Sequence, residues 1–360
     1  MLNIVYPSAA EMYAIAPDLL ATGPDDYLGL SLFPDSMQKT FEVRWWQKDN
    51  AYGLMAMRGV DGKPLYVQRQ GESQYVHKAG VYGEFTSITE GELLQRCDPL
   101  ATDRVLNISD YVLDSSRLLL TRMKQRKEAN TWTLLTTGTL SIPVGPVSVT
   151  GGPTGPVVYT VTFPLQTFTC SIPWSNVSTA TPIANIQTVQ QKSVGHGSSF
   201  GPEATIYVNQ VTANNLVNNV NSSDFGGRRN AFGATINNIQ GVSNFFQGQG
   251  LPAVAIYDKG YQNQLVAGPI TNSVTQFTKY IPNNVGVLIG RRPNNDPLGR
   301  WHNTMCLNNP DNAPGPYNYV RDYGVGMNAP KETPARLEIH SGFNGGLAME
   351  YPSGVCIINC

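Results

Sequence analysis

The chain has 360 residues, 41% of them hydrophobic and only 14% charged, and its 25 basic and 26 acidic side chains leave a formal net charge of -1. That length and apolar content allow roughly three quarters of the unfolded surface to be buried, which excludes disorder throughout, while near neutrality excludes the broad basic excess of a dedicated nucleic-acid binder. With 35 Gly and 25 Pro beside many Asn, Gln, Ser and Thr, the surface is polar without being ionic, a profile ill-suited to keeping copies apart by charge repulsion.

No run of about 18 apolar residues occurs, and the opening MLNIVYPSAAEMYAIAPDLL lacks the basic flank and continuous apolar stretch of a signal peptide. A cytoplasmic origin is therefore expected. Five cysteines, Cys97, Cys170, Cys306, Cys356 and Cys360, are odd in number and spread along the chain, which fits reduced thiols rather than a disulfide framework. The N-x-S/T sites at Asn107, Asn176 and Asn221 then carry little weight.

In chain order, residues 1–35 hold three turn signals around AAEMYAIAPDLL and read as an extended arm with one short helix. From Thr40 to about Val67 the pattern is strand-like: Phe41, Val43 and Trp45 alternate with Glu42, Arg44 and Trp46, and Asp61-Gly62-Lys63-Pro64 supplies a tight turn. This predicts a long hairpin, followed by a second extended stretch, VYGEFTSITE. The clearest helix begins near Ser109, with Val112, Leu119, Leu120, Met123 and Leu134 on one side of a 3.6-residue period. At 1.5 Å per residue its 25 or so residues make a rod of about 37 Å. Beyond Gly138 come two strands joined by a Gly/Pro-rich loop, with Tyr159, Val161 and Phe163 on one face.

From Thr181 helices and strands alternate. Thr181-Pro182 opens a helix through IANIQTVQQKSV, EATIYVN is a strand, VTANNLVNNV is a helix capped by Thr212, and ATINNIQGVSNFFQG is another helix. LPAVAIYD, VGVLIG, RLEIHSG and LAMEYPSGVCII follow as strands, making the class α+β without a repeat period.

Signatures of chemistry are missing. No GxxxxGK[ST], GxGxxG after a strand, HExxH or GxSxG is present, and His77, His196, His302 and His340 are scattered. No enzyme activity, metal or other cofactor is expected. The cluster Arg117, Arg122, Lys124, Arg126 and Lys127 is the best candidate for touching nucleic acid, yet on a helical wheel the five spread around most of the circumference and Lys127 falls within the apolar arc. The pairs Arg228-Arg229 and Arg291-Arg292 read as interface ion pairs. Of Trp45-Trp46, alternation sends one indole to the core and the other toward a partner.

Several strings carry a resemblance: FPDSMQKTFEVRWW, NQVTANNLVNNVNSSDFGGRR, GLPAVAIYDKGY, YIPNNVGVLIGRR and HSGFNGGLAMEYPSG lie in order along nearly the whole chain. With the order of arm, hairpin, long helix, strand pair and α+β remainder, they resemble the lambda-type major capsid protein E family of tailed bacteriophages. The resemblance implies the phage major capsid (Hong Kong 97-like) fold, with residues 1–35 as N-terminal arm and 36–98 as extended loop. It makes 99–175 a peripheral domain with a spine helix over about 105–137, 176–330 an axial domain, and 331–360 strands returning to the main body. It implies hexamers and pentamers closing into an icosahedral shell around double-stranded DNA, assembled in the host cytoplasm. Expected partners are copies of the chain, portal and scaffold proteins, a decoration or cement protein, and non-specifically contacted DNA, with no membrane. The short arm leaves no room for a built-in scaffolding segment, so a separate scaffold is expected. Trp46, Arg58, Lys63 and Arg69 would serve the loop between subunits, Arg117, Arg122 and Lys124 would face DNA, and Arg228, Arg229, Arg291 and Arg292 would lie at interfaces. Competing readings are a tail or decoration component and a carbohydrate-binding surface protein.

Overall fold

A computed structural model describes residues 3–5, 27–47, 55, 57–58, 63, 73–89, 91–92, 105–107, 109–143, 157–222, 238–262, 277–292, 295–306, 314–323 and 336–360. The elements begin with β1 (Asn3–Val5), helix α1 (Leu28–Leu32), β2 (Asp35–Met37), β3 (Glu42–Gln47), β4 (Ser73–Lys78), β5 (Gly80–Thr89) and β6 (Val105–Asn107). Helix α2 (Ser109–Thr137) leads into β7 (Thr139–Pro143), β8 (Val157–Thr162) and β9 (Gln166–Thr169). Then come α3 (Pro182–Gln191), β10 (Thr205–Val208), α4 (Gln210–Ser222), α5 (Ile239–Gly248) and β11 (Ala253–Ile256). Strands β12 (Gly260–Gln262), β13 (Phe277–Lys279), β14 (Val285–Ile289), β15 (Gly299–Asn303), β16 (Tyr317–Tyr323), β17 (Arg336–Met349) and β18 (Val355–Asn359) complete the order.

Helix α2 has 29 residues, a length of about 44 Å at 1.5 Å per residue. The apolar positions that mark it in the sequence, Val112, Leu119, Leu120, Met123 and Leu134, are all buried. Its threonine-rich end is held by hydroxyls donating back one turn, Thr133 to Ala129 O, Thr136 to Trp132 O and Thr137 to Thr133 O. Gly138 stops it: its φ is +73°, a conformation that favours glycine, and its N–H donates to Leu134 O at 2.8 Å.

Two compact units divide the chain. The first joins Met1–Val43, Lys78–Glu128 and Trp301–Leu347. Its main sheet runs β16-β17-β15-β2, with β5 also pairing antiparallel to β17. Ile88 of β5, Leu337 and Ile339 of β17, and Val112 and Leu119 of α2 form its apolar core. Strand β2 adds in parallel to β15, Asp35 opposite Trp301 and Met37 opposite Asn303, and backbone bonds from Trp301 N to Pro34 O and Gln38 N to Asn303 O extend the pairing.

Two adjacent charged residues of α2 position the residues before and within β2. Glu128, fully buried, accepts from the Gly29 N–H at 2.8 Å and the Leu30 N–H at 3.1 Å, filling donors that the start of α1 leaves open. Lys127, 1% exposed, donates to Asp35 Oδ1 at 2.7 Å and Asn303 Oδ1 at 3.2 Å. The helical wheel places Lys127 among apolar positions, and burial with a carboxylate partner is how the fold satisfies it.

The second unit joins Arg44–His77, Ala129–Arg300 and Ala348–Cys360. Its sheet runs β11-β10-β14-β18-β9 and is mixed: β10 is parallel to β11, β14 antiparallel to both β10 and β18, and β18 parallel to β9. Ile206, Val208, Leu288 and Ile358 of the sheet pack with Ile183 and Ile186 of α3, Leu216 of α4, and Val242 and Phe246 of α5 around Trp174 and Phe200. Strands β7 and β8 form the antiparallel pair expected across the Gly/Pro-rich loop.

Several expectations change in detail. Of the hairpin read from Thr40 to about Val67, β3 is described from Glu42 to Gln47 and pairs with β4; most of the remainder, including most of the predicted turn, lies outside the described residues. Thr212 is not the cap of α4: Asn209 Oδ1 accepts the Thr212 N–H at 2.8 Å, and the Thr212 hydroxyl accepts from Asn284 N instead. Thr181 makes no side-chain capping bond, although Pro182 opens α3 as predicted. LAMEYPSGVCII is two strands, because β17 runs through Met349 and a 3-10 turn at Pro352–Gly354 separates it from β18. The arm helix expected in AAEMYAIAPDLL lies outside the described residues.

The close approach at Gly29 is testable, because a Cβ there would lie 2.7 Å from Glu128 Oε2. Gly29→Ala is predicted to lower unfolding stability in urea by about 1–3 kcal/mol, opposite in sign to the usual gain from removing a helical glycine. A stabilised variant would contradict the packing of Glu128 on α1.

Candidate interaction surface

Among the described residues, nine of the fifteen large apolar side chains left exposed come from the segment between Met37 and Phe85: Met37, Phe41, Trp46, Met55, Met57, Tyr75, Val76, Val81 and Phe85. Scattered exposed apolar residues are ordinary, so it is their concentration in one stretch of sequence that sets this part of the chain apart. Met55 and Met57 are 95% and 97% exposed.

The two adjacent tryptophans show how β3 divides its faces. Trp45 is 6% exposed, donates its indole N–H to Met349 O at 2.9 Å, and packs against Tyr75, His77 and Phe163 with ring centroids 5.3–5.6 Å away. Trp46, pointing the other way by strand alternation, is 48% exposed. Phe41 departs from the expected face: it precedes the first residue of β3 and is 62% exposed. In the first unit, exposed Phe85 stacks on His340 at 5.3 Å, and His340 on Tyr319 at 5.0 Å, so an aromatic row crosses three neighbouring strands.

The basic residues singled out in the sequence have different fates. Arg117 is exposed and makes an i,i+3 pair with Asp114 at 3.3 Å. Arg122 is held by both Glu84 carboxylate oxygens, Nη2 to Oε1 at 2.8 Å, and those bonds raise its pKa. Lys124 is corrected outright: it is 5% exposed, so it is not a surface base free to meet DNA, and burial lowers its pKa. Arg291 pairs with Glu203 of its own chain. Arg292 donates to the Gly290 and Asp296 carbonyls, which makes it a brace for its own turn rather than an open interface cation. Arg58 and Lys63 are exposed; Arg69, Arg228 and Arg229 lie outside the described residues.

No arrangement for conventional catalysis emerges among the described residues. An open groove of about 470 Å³ is lined by Gln47, Pro164, Gln166, Lys192, His196, Pro352 and Ser353, without a carboxylate. No group of three or more His, Cys, Asp or Glu side chains is placed to hold a metal. Burial pushes the Cys170 thiol up to about 11, that of Cys356 up to about 12, and that of Cys360 upward as well, which keeps all three protonated and unreactive at neutral pH. No described helix is long and apolar enough to cross a membrane.

Neither a family model nor a curated protein matches this sequence. Solved structures do. A protein described as a prophage capsid protein of E. coli CFT073 matches with a TM-score of 0.55 at 14% identity, covering 99% of each chain. A phage-related protein from Bordetella bronchiseptica RB50 matches with a TM-score of 0.54 at 10% identity, covering 96% of each. The chain therefore has the phage capsid, Hong Kong 97-like fold. The narrower lambda-type resemblance rests on the sequence strings alone.

Substitution separates the two faces of β3. Trp45→Ala is predicted to cost about 3–5 kcal/mol of unfolding stability through its cavity, whereas Trp46→Ala should change stability by no more than about 0.5 kcal/mol and instead reduce self-association in sedimentation velocity. Equal destabilisation by both would contradict an outward-facing Trp46.

Proposed function

We propose that this chain is the shell-forming subunit of a phage head, a structural protein whose activity is assembly with its own copies. The observation that carries the reading is the end-to-end fold match to the prophage capsid protein, in which no part of either chain larger than about one percent is left over. The concentration of exposed apolar side chains between Met37 and Phe85 supports it independently.

In this reading residues 1–35 form the arm, 36–98 the loop that lies on a neighbouring subunit, 99–175 the peripheral domain, 176–330 the axial domain, and 331–360 the strands that return to the body. Hexamers and pentamers close into an icosahedral shell around double-stranded DNA in the host cytoplasm, with portal, scaffold and decoration proteins as further partners. Contacts of modest strength suffice, because a subunit that touches several neighbours leaves only when all of its contacts break together. The near-zero net charge removes the repulsion that like-charged copies would feel side by side. Exposed Arg117 is the best placed of the three proposed DNA-facing bases, giving at most weak, sequence-blind neutralisation. Trp46, Arg58, Lys63 and Arg69 serve contacts of the loop.

Expressed alone or with a scaffold, the protein is predicted to sediment as capsomers or closed particles, and electron microscopy should show shells. A stable monodisperse monomer at high concentration would sink the proposal, and rings or tubes would move it to the tail. Deleting Gly59–Leu65 should leave the subunit folded by circular dichroism yet unable to close shells; normal particles from that variant would refute the role given to the loop.

A further inference from the structure

Strands β9 and β18 pair in parallel, with Cys356 opposite Gln166 and Asn359 opposite Thr169. One residue further along both, Cys170 falls opposite Cys360. The Cys170 N–H donates to Asn359 O at 2.8 Å, which continues the parallel ladder to that position, and the Cys360 N–H donates to Asn284 O on its other side, also at 2.8 Å. Paired strands lie about 4.8 Å apart, so the two Cα atoms sit within the span of about 4.4–6.8 Å that a disulfide bridges. Both side chains point to the core face, 8% and 6% exposed, and belong to one apolar cluster. Cys356 shares that face but lies four residues back along β18, about 13 Å at 3.3 Å per residue, beyond the reach of the pair.

We propose that Cys170 and Cys360 are a latent disulfide within one chain, closed by hydrogen peroxide. Cys170 loses its proton, and the thiolate attacks one peroxide oxygen: the S–O bond forms, the O–O bond breaks, and the departing hydroxide takes a proton to become water. The Cys360 sulfur then attacks the Cys170 sulfenic sulfur and gives up its own proton. The S–S bond forms, the S–O bond breaks, and the second hydroxide leaves as water with that proton. The two thiols lose two electrons in all and the peroxide gains them.

The surroundings set the order of attack and its rate. Burial pushes the Cys170 thiol up to about 11 and the Cys360 thiol further, with Cys170 itself adding to the rise at Cys360. Cys170 is therefore the first to ionise. The indole N–H of Trp174, fully buried and with no hydrogen-bond partner among the described residues, favours the Cys170 thiolate beside it. The nearby Lys192 ammonium, which donates to Thr167 O at 2.6 Å, acts on Cys356. At pH 7 only about one Cys170 in ten thousand is ionised, so the pair stays reduced through folding and closes slowly on lasting exposure to oxidant. The bond ties β18 to β9, the strand at the end of the sheet, and closes a loop of more than half the chain. It lies inside one subunit, so it stands apart from what the chain assembles with.

The test incubates reduced, folded full-length protein with hydrogen peroxide at pH 7, 8 and 9, then quenches in acid, denatures and alkylates the remaining thiols. The product should be lighter by two hydrogens and take up three alkyl groups instead of five, and a reductant should restore all five. A non-reducing tryptic digest should join the peptide ending at Lys192 to the C-terminal peptide. That second peptide holds both Cys356 and Cys360, and fragmentation should place the link at Cys360 with Cys356 alkylated. The rate should rise about tenfold per pH unit, as the thiolate fraction does. The oxidised protein should unfold at a higher urea concentration than the reduced one. Cys170→Ser and Cys360→Ser should each abolish the link. If either variant fails to fold, the wild type decides alone: five alkylated thiols after long incubation at pH 9 overturn the proposal. A link through Cys356, a scrambled mixture, or sulfinic acid at Cys170 without a bridge overturns it equally, and a rate independent of pH refutes attack by the thiolate.

Discussion

The first unit depends on two opposite charges placed side by side on a buried stretch of α2. Lys127 and Glu128 are 1% and 0% exposed, and neither is tolerable there without partners, because desolvating an ion costs several kcal/mol before pairing repays it. Glu128 takes the backbone donors of Gly29 and Leu30, and Lys127 takes Asp35 and Asn303. A segment of the chain nearly a hundred residues upstream is thereby held against the helix. Strand β2 then adds to β15 and extends the sheet by one strand. Directional bonds to a charge set both position and register, which apolar packing alone does less sharply.

The second unit rests on ordinary hydrophobic packing. Three helices share one apolar cluster with a mixed five-stranded sheet, and its polar fittings are caps and braces: Asn209 on α4, Asn238 on α5, Arg292 across its own turn. Part of the stretch that carries most of the exposed apolar side chains, Arg44–His77, belongs to this unit as well. A segment that buries Trp45 while exposing Trp46 and both methionines has one face for its own fold and another for something else, and a charge-poor surface offers little resistance to another copy.

Much of this was legible along the chain. Helix α2, strands β5, β10, β11 and β14, and the β7–β8 pair all carry strong periodicity or turn chemistry, and all form. The opposed faces of Trp45 and Trp46 follow from strand alternation. The errors share a cause. Asn209 displaced Thr212 as cap because both are good capping residues and only the start of the helix chooses between them. Asp35 falls at the end of the stretch read as an extended arm, whereas it opens a strand because β15 and Lys127 receive it. Arg122 and Lys124 looked like a basic surface because a helical wheel records angles and not what is packed opposite.

Composition by itself determined that the chain folds and that its surface offers little charge repulsion between copies, and residue order determined that the standard motifs for nucleotide, zinc or acyl chemistry are missing. Local periodicity determined most elements, since it reflects how each residue's neighbours along the chain share a face. Only the tertiary structure decided which charges are buried and with whom. Lys127, Asp35 and Asn303 are separated by 92 and 176 positions from one another's reach, and a pairing over such distances leaves no period or spacing to read. The most chemically loaded site in the molecule is therefore one that folding assembles, because desolvation and proximity, the properties that make it unusual, do not exist in the extended chain.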